Sequence, residues 1–366
     1  MAQGAVDVLG EQLEDGLVIT KHGHLNRQWI EASRFDGIES SHPVPDESSL
    51  EAGQRLVAYL EGLPEERPVL FLISGGTSSL VELLPEGVAP GQLGRLNDWL
   101  LGSGLSITAI NRIRKRISRI KEGGLLQFLG QREMVGLLIS DVPGDDPGII
   151  GSGLLVAEEQ EAFAPSGDTP GWIQELLAAV PEKTGGAGVD VSLAVVANLR
   201  RAREAAAEKA GELGYETKVS HAFISADAEN SGRCLALEML DALPGVYIWG
   251  GEPTVILPEN PGRGGRNQHL ALATATVIEG VKDICFLSCG TDGTDGPGED
   301  AGALVDGGTL GRGRQEGFKA DESLAQADSG SLLEASGDLV STGPTGTNVM
   351  DLMIGLKVGV KSAGEV

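Results

Sequence analysis

The sequence predicts an α/β fold with a mostly parallel sheet, built as two domains. Short and almost continuous apolar runs end in loops rich in Gly, Ser, Thr and Asp, which is typical of strands buried on both faces. Segments of helical periodicity separate these runs, and such alternation favours parallel strands joined by helices. A chain of 366 residues also exceeds what one hydrophobic core usually serves.

Each predicted element follows from its pattern. The strands are residues 16–20, 68–73, 134–139, 191–197, 245–249 and 283–289. Helical spacing of apolar residues predicts helices over 48–63, 107–120 and 198–214, and a further helix over 349–356. A predicted domain boundary near 241–245 separates a larger first domain, 1–242, from a smaller second domain, 243–366.

Composition narrows the class of protein. The chain carries 28 Lys and Arg against 53 Asp and Glu, a net charge of −25, so nucleic acids and anionic membranes are poor partners. Three cysteines without a CxxC pair argue against a disulfide scaffold or a zinc site. The first residues show neither a basic nor an apolar targeting segment, so we expect a cytoplasmic protein.

A glycine loop follows the strand at 68–73. It comprises Ser74, Gly75, Gly76, Thr77 and Ser78, and it leads into a helix start. Backbone N–H groups at such a position suit a phosphate or carboxylate, although no Walker A lysine is present. An ordinary glycine turn with a serine cap is the alternative interpretation.

A basic segment, 111–124, concentrates cations in an otherwise acidic chain. Crowded cations repel one another unless an anion or nearby carboxylates compensate them. The segment therefore predicts an anionic-substrate site that involves Asn111, Arg114, Lys115 or Lys121. A solvated basic helix face is the alternative.

Aspartates follow two of the predicted strands. Asp141 and Asp145 come after 134–139, and Asp292 and Asp295 lie in the glycine loop after 283–289. Crowded carboxylates favour Mg²⁺, which proteins hold with one or two carboxylates plus phosphate oxygens. One aspartate could instead act as general base, and an Asp-rich turn is the structural alternative.

The second domain adds two loops of anion-binding character. Their predicted phosphate- or substrate-binding residues are Glu252, Arg263, Gly264, Gly265, Arg266 and Asn267 in one region and Thr345, Thr347 and Asn348 in the other. Arginine clamps, glycine loops and strand-end aspartates without a catalytic His or Cys are typical of phosphoryl transfer, which depends on positioning and charge neutralisation.

These loops together resemble the glycerate 2-kinase family, also called the MOFRL family. The matching segments are HPVPDE, LISGGTSSL, NRIRKRISRIKEGGL, LLISDVPGDD, GGEPTV, GRGGRNQ, GTDGTDGP and STGPTGTNVMDL, in family order. The resemblance implies a Rossmann-like first domain and ATP- and Mg²⁺-dependent phosphorylation of D-glycerate to 2-phosphoglycerate. We accordingly assign catalysis to Asp141, Arg266 and Lys121 and the metal to Asp145, Asp292 and Asp295.

Family members also carry an upstream strand and a GKAA-type loop whose lysine is thought to be catalytic. Either the start codon lies further upstream, or Lys21 or Lys121 substitutes for that lysine.

Two other functions stay open: a hydroxypyruvate reductase, whose dinucleotide fingerprint has only a poor match at 296–301, and a ligand-binding remnant without turnover. A serine hydrolase lacks its G-x-S-x-G motif. A homodimer is left open.

Overall fold

The structure is a computed structural model that describes residues 1–157, 169–180 and 191–359. The chain divides into two units: unit 1 is Met1–Leu138 with Gly144–Val196, and unit 2 is Ile139–Pro143 with Ala197–Val366. Among the helices in these described ranges, none is long and apolar enough to cross a membrane.

Unit 1 holds two small sheets and the helices that cover them. Its helices are α1 Ala2–Leu9, α2 Arg27–Ala32, α3 Glu47–Gly62, α4 Thr77–Leu80, α5 Pro90–Gly102, α6 Ile107–Arg116 and α7 Gly171–Ala179. Its strands are β1 Gly16–Lys21, β2 Phe35–Ser40, β3 Val69–Ile73, β4 Met134–Ile139 and β5 Val191–Ala197. β1 pairs in parallel with β2, and β3 with β4, in a second sheet of order β3-β4-β5.

Local sequence explains where the unit 1 helices begin and end. Asp46 caps α3, with its side chain accepting from the Ser48 N–H, and the buried Ala52 and Leu60 form the core-facing stripe. The predicted helix over 107–120 is shorter, because α6 ends at Arg116. Ile117 and Ile120 are still buried, but as part of the following loop.

Unit 2 is built around one six-stranded sheet. Its strands are β6 Thr217–Ile224, β7 Gly245–Gly251, β8 Ile284–Gly290, β9 Gly302–Asp306, β10 Leu339–Val340 and β11 Asp351–Lys357, in the order β10-β9-β8-β11-β7-β6. Its helices are α8 Leu199–Glu212, α9 Ala228–Asp241, α10 Arg266–Val277, α11 Thr309–Gln315, α12 Ala320–Ala325 and α13 Ser329–Ser336. β6 and β7 are parallel, whereas β11 runs antiparallel to both β7 and β8.

The six strands expected from apolar runs are confirmed as β1, β3, β4, β5, β7 and β8. The predicted helix over 349–356 is wrong, since most of it is strand β11. β11 lies between β7 and β8, so it pairs along both edges. The predicted boundary near residue 242 falls within unit 2, because β6, which precedes it, pairs with β7, which follows it.

Candidate active site

Arg266, the first residue of α10, forms the central ion pair of unit 2. Its Nε donates to Asp351 Oδ2 at 2.5 Å, and its Nη2 donates to Asp351 Oδ1 at 3.0 Å. Nη2 also lies 3.3 Å from Glu252 Oε1. Burial lowers the pKa of Arg266, but the hydrogen bonds and charge of Asp351 outweigh it and hold the pKa above its ordinary value. The guanidinium is therefore a fixed positive charge.

The sheet explains why Asp351 reaches this position. As the first residue of β11, it lies opposite Gly251 on β7 and Gly290 on β8. A Cβ on Gly290 would lie 2.4 Å from the Thr294 carbonyl oxygen and 3.6 Å from Asp351 Oδ1. The glycine thus leaves room for the loop that passes beside it, while a Cβ would be in ordinary contact with Asp351.

Asp141 and Glu252 add further negative charge to the same unit. Burial raises the pKa of Asp141. Burial also raises the pKa of Glu252, with smaller contributions in the same direction from the charges of Asp351 and Asp141, while Arg266 opposes them. Glu252 and Asp351 thus share the positive charge of Arg266, and Asp141 adds to the negative charge that acts on Glu252.

Asp295 caps helix α10. Its Oδ1 accepts from the Asn267 N–H at 3.0 Å, and its Oδ2 accepts from the Gln268 N–H at 2.8 Å. Burial raises the pKa of Asp295 to about 6. Asn267 is fully buried, and its Oδ1 accepts from the Ser288 hydroxyl at 2.7 Å. Hydrogen bonds within the protein thus engage the polar atoms of Asp295 and Asn267, and their metal and phosphate roles stay predictions.

Two loops of unit 2 pack closely together. Asp292 accepts the Thr294 N–H at 2.9 Å, and its backbone carbonyl accepts the Thr345 N–H at 3.1 Å. The Thr345 hydroxyl donates to the Thr291 carbonyl at 2.7 Å. In the adjoining segment, Thr347 is exposed and Asn348 is half-buried. Asp292 acts here as a turn residue, and over the described ranges no three His, Cys, Asp or Glu side chains cluster as a metal site.

Arg263 lies at the surface of unit 2. Its guanidinium pairs with Asp300 at 3.1 Å and with Glu334, and its side chain is 44% exposed. Gly264 and Gly265 follow it, and a Cβ on Gly265 would lie 2.4 Å from the Asp295 carboxyl carbon. Gly265 allows the close approach of Asp295 to α10, whereas a Cβ on Gly264 would lie 3.0 Å from the Gly330 nitrogen.

The predicted glycine loop of unit 1 is a tight turn. Gly76 has φ 81°, and a Cβ there would lie 2.8 Å from His42 Cδ2. Thr77 Oγ1 donates to the Ser74 carbonyl at 2.6 Å, and Ser78 Oγ lies 2.7 Å from Ser152 Oγ. Gly75 completes the turn. Ser152, which has a φ of 60°, is connected to this loop by its contact with Ser78.

The basic segment is largely engaged by unit 1 itself. Lys121 is 1% exposed, with Nζ 2.6 Å from Glu82 Oε2. Lys115 Nζ donates to the Gly148 carbonyl at 3.1 Å. Burial lowers the pKa of Arg114, while the charge of Glu82 opposes that shift. Lys121 is thus buried and paired, and its catalytic role stays a prediction. Asn111 lies half-buried on α6.

The remaining strand-end acid is Asp145. It has φ 57°, and its neighbour Asp146 accepts the Gly148 N–H at 2.8 Å through Oδ1. Asp145 therefore belongs to a tight turn of unit 1, while Asp141 belongs to unit 2.

A groove in unit 1 lies away from these polar residues. Its volume is about 870 Å³. Aliphatic side chains of α1, β3 and β4 line it, including Val8, Leu70, Leu72, Val135 and Leu137. Such a lining does not suit a charged hydroxy-acid.

Known proteins resemble this chain over almost its whole length. The chain is 36% identical to the D-glycerate 2-kinase of Thermotoga maritima, covering 98% of this chain and 88% of that protein. The glycerate 2-kinase of Pyrococcus horikoshii is 32% identical, with 97% and 84% covered. The chain belongs to the glycerate kinase family.

Family models and a solved structure agree with that membership. A domain of unknown function, DUF4147, matches residues 1–165, and the MOFRL family matches 245–351. The crystal structure of the Thermotoga maritima glycerate kinase superposes with a TM-score of 0.85 at 34% identity, covering 98% of this chain and 88% of that one. A glycerate kinase relative from Agrobacterium vitis, 36% identical over 95% of this chain and 82% of its own, carries the provisional name hydroxypyruvate reductase.

Asp351, the partner of Arg266, is the residue of this ion pair that the sequence did not predict. A single acid inside the apolar run VMDLMIGL was the available signal. A carboxylate in such a run needs a partner when it is buried, and Arg266 is that partner.

Proposed function

We propose that this protein transfers the γ-phosphoryl group of ATP to D-glycerate and forms 2-phosphoglycerate. The observation that carries the proposal is Arg266, an arginine held rigidly by a buried carboxylate beside Glu252. Phosphoryl transfer requires fixed positive charge where negative charge develops and little covalent chemistry from the protein. Membership in the glycerate kinase family supports the same reaction.

The side chains of unit 2 divide the work in this proposal. Arg266 neutralises charge on the transferring group. Asp141, whose pKa burial raises, accepts the proton of the attacking hydroxyl. Glu252, whose side chain is 45% exposed, would supply one carboxylate ligand to a divalent cation that enters with the nucleotide. Mg²⁺, when bound with the nucleotide, supplies neutralisation of the phosphate oxygens. We further propose residues 74–78 of unit 1 as a separate anion-binding turn.

A coupled assay tests the reaction. Purified protein is incubated with ATP, Mg²⁺ and D-glycerate, and ADP release is followed, with L-glycerate and tartronate as matched alternative acceptors. Phosphorus NMR of the product separates 2-phosphoglycerate from 3-phosphoglycerate. Failure to release ADP in a D-glycerate-dependent manner would refute the proposal. Oxidation of NADH or NADPH with hydroxypyruvate would establish the reductase activity instead.

The setting of this activity is also proposed. The three cysteines, Cys234, Cys285 and Cys289, are free, which suits a reducing compartment such as the cytoplasm. A homodimer also stays open, and size-exclusion chromatography with light scattering measures the oligomeric state.

A further inference from the structure

We propose that Asp351 is a positioning residue for phosphoryl transfer. It fixes one edge of the Arg266 guanidinium, so that the opposite edge is presented to a phosphate or carboxylate group of a substrate. The inference rests on the proposed function, which gives Arg266 its role in charge neutralisation.

A guanidinium has two edges that can each bind an anion. One edge carries Nε and one terminal nitrogen, and the other carries both terminal nitrogens, so each can hold a carboxylate or phosphate with two hydrogen bonds. Asp351 occupies the first edge through Nε at 2.5 Å and Nη2 at 3.0 Å. Within the described part of the chain, Glu252 is the remaining carboxylate paired with Arg266, at 3.3 Å from Nη2.

Asp351 and Glu252 differ in how easily they can leave Arg266. The Asp351 side chain is 1% exposed, whereas that of Glu252 is 45% exposed. A buried carboxylate that loses its arginine has no water to replace it, so this pair is costly to break. Glu252 can turn toward solvent at little cost, so an incoming anion can take its place on the guanidinium.

Regular secondary structure holds the backbone of both Asp351 and Arg266. Asp351 begins β11, which is hydrogen-bonded to β7 on one side and β8 on the other. Arg266 begins α10, whose first turn is fixed by the Asp295 cap. Arg266 and Asp351 thus both begin elements of regular secondary structure. This restricts the guanidinium edge that Asp351 does not occupy to a narrow set of positions.

A double-mutant cycle tests this role. The variants are Arg266→Ala, Asp351→Asn and the double variant, assayed with D-glycerate and ATP. We expect Arg266→Ala to lower kcat by about 10²-fold or more, the scale of one lost charge contact in the transition state. Asp351→Asn should lower kcat by about 10- to 100-fold with a smaller change in KM. If Asp351 acts through Arg266, the double variant should be no slower than Arg266→Ala alone.

The chain offers a matched control in the same unit. Asp338, 9% exposed, pairs with Arg312 at 2.6 Å away from the Arg266 group. Asp338→Asn should lower thermal stability but leave kcat unchanged. Fully additive losses in the double variant, or a kcat in Asp351→Asn equal to that of Asp338→Asn, would overturn the inference. A wild-type protein without D-glycerate-dependent turnover overturns the proposed function instead.

A second measurement does not depend on turnover, and it uses the Arg266→Ala variant only to assign one signal. In wild-type protein labelled with ¹⁵N-arginine, the Arg266 Nε–H that donates to Asp351 should give a signal that exchanges slowly with solvent. The signal is assigned by its loss in Arg266→Ala. Slow exchange supports a fixed ion pair, and fast exchange in folded wild-type protein would overturn the inference even if the enzyme is active.

Discussion

The pair of Lys121 and Glu82 illustrates how burial decides the role of a single residue. Both side chains are at most 2% exposed, and their charged atoms are 2.6 Å apart. Such a pair is costly to break because either charge alone would stay buried without compensation. In the sequence, Lys121 is one of several cations in a basic segment, and nothing local distinguishes a buried lysine from an exposed one. Asp351 was missed for the converse reason, since its partner is 85 positions away.

We predict that Lys121→Met lowers the free energy of unfolding by about 3–5 kcal/mol, because it leaves Glu82 buried and unpaired. Adding Glu82→Gln should recover most of that loss, since glutamine keeps an acceptor for the Leu83 N–H at 3.0 Å. Urea denaturation measures both free energies. A double variant that folds as the wild type but has no kinase activity would restore the predicted catalytic role of Lys121.

Asp295 predicts a particular pH dependence of stability. Burial raises its pKa to about 6 from an ordinary 3.8, so the native state holds this proton more tightly than the unfolded state. Its contribution to stability is therefore present at low pH and declines as pH rises, by about 1.4 kcal/mol between roughly pH 5 and pH 7. Asp295→Asn should lack this decline. Guanidinium unfolding of both proteins over that range checks it, and parallel pH curves would contradict it.

At the scale of elements, β11 and the loops around it were the hardest part to predict. The run VMDLMIGL shows no alternation of polar and apolar residues, so its pattern cannot be told from that of a buried helix. The antiparallel return of β11 depends on pairing with strands far away in sequence. By contrast, β3, β4 and β8 were predictable because apolar runs of strand length end at loops rich in Gly, Ser, Thr and Asp.

Close packing between loops 290–297 and 342–347 yields a test with a matched control. Gly293 has φ 87°, and a Cβ there would lie 2.1 Å from the Gly343 carbonyl oxygen. Gly346 has φ 78° with nothing within 4 Å of its Cβ position. Alanine at either position incurs backbone strain of about 1 kcal/mol, and at Gly293 it also forces the loops apart.

We therefore expect Gly293→Ala to lower the melting temperature, and the kinase activity, clearly more than Gly346→Ala. Differential scanning calorimetry and the ADP-release assay compare the two variants. Equal effects would show that loop packing at Gly293 does not matter.

At the scale of the whole molecule, the α/β class and the presence of two units could be predicted, because both follow from the periodicity and length of the chain. The division between units could not, because it depends on the pairing of β6 with β7 across residue 242. Net charge, in contrast, is fully determined by composition, at −25. Such an excess of one sign destabilises a folded chain through self-repulsion.

Salt should consequently stabilise the protein. Raising NaCl from about 10 mM to about 200 mM shortens the screening length and weakens the repulsion. We expect a gain of about 1 kcal/mol, equivalent to a rise of ~2 °C in the melting temperature. Scanning calorimetry at several NaCl concentrations measures it, with the same series in KCl as a control for specific ion binding. A fall in melting temperature would show that ion pairs, such as that of Arg266, outweigh the repulsion.

The position of β11 also has a consequence for how unit 2 folds. β7 and β8 do not pair with each other, since the strand between them is the last of the sheet in sequence order. Hairpin zipping from one strand to its neighbour in sequence therefore cannot assemble this sheet. Until residues 351–357 arrive, β7 and β8 each present an open edge, which is the state most exposed to misassociation between molecules. We therefore predict that the insertion of β11, which closes both edges, limits the refolding rate of unit 2.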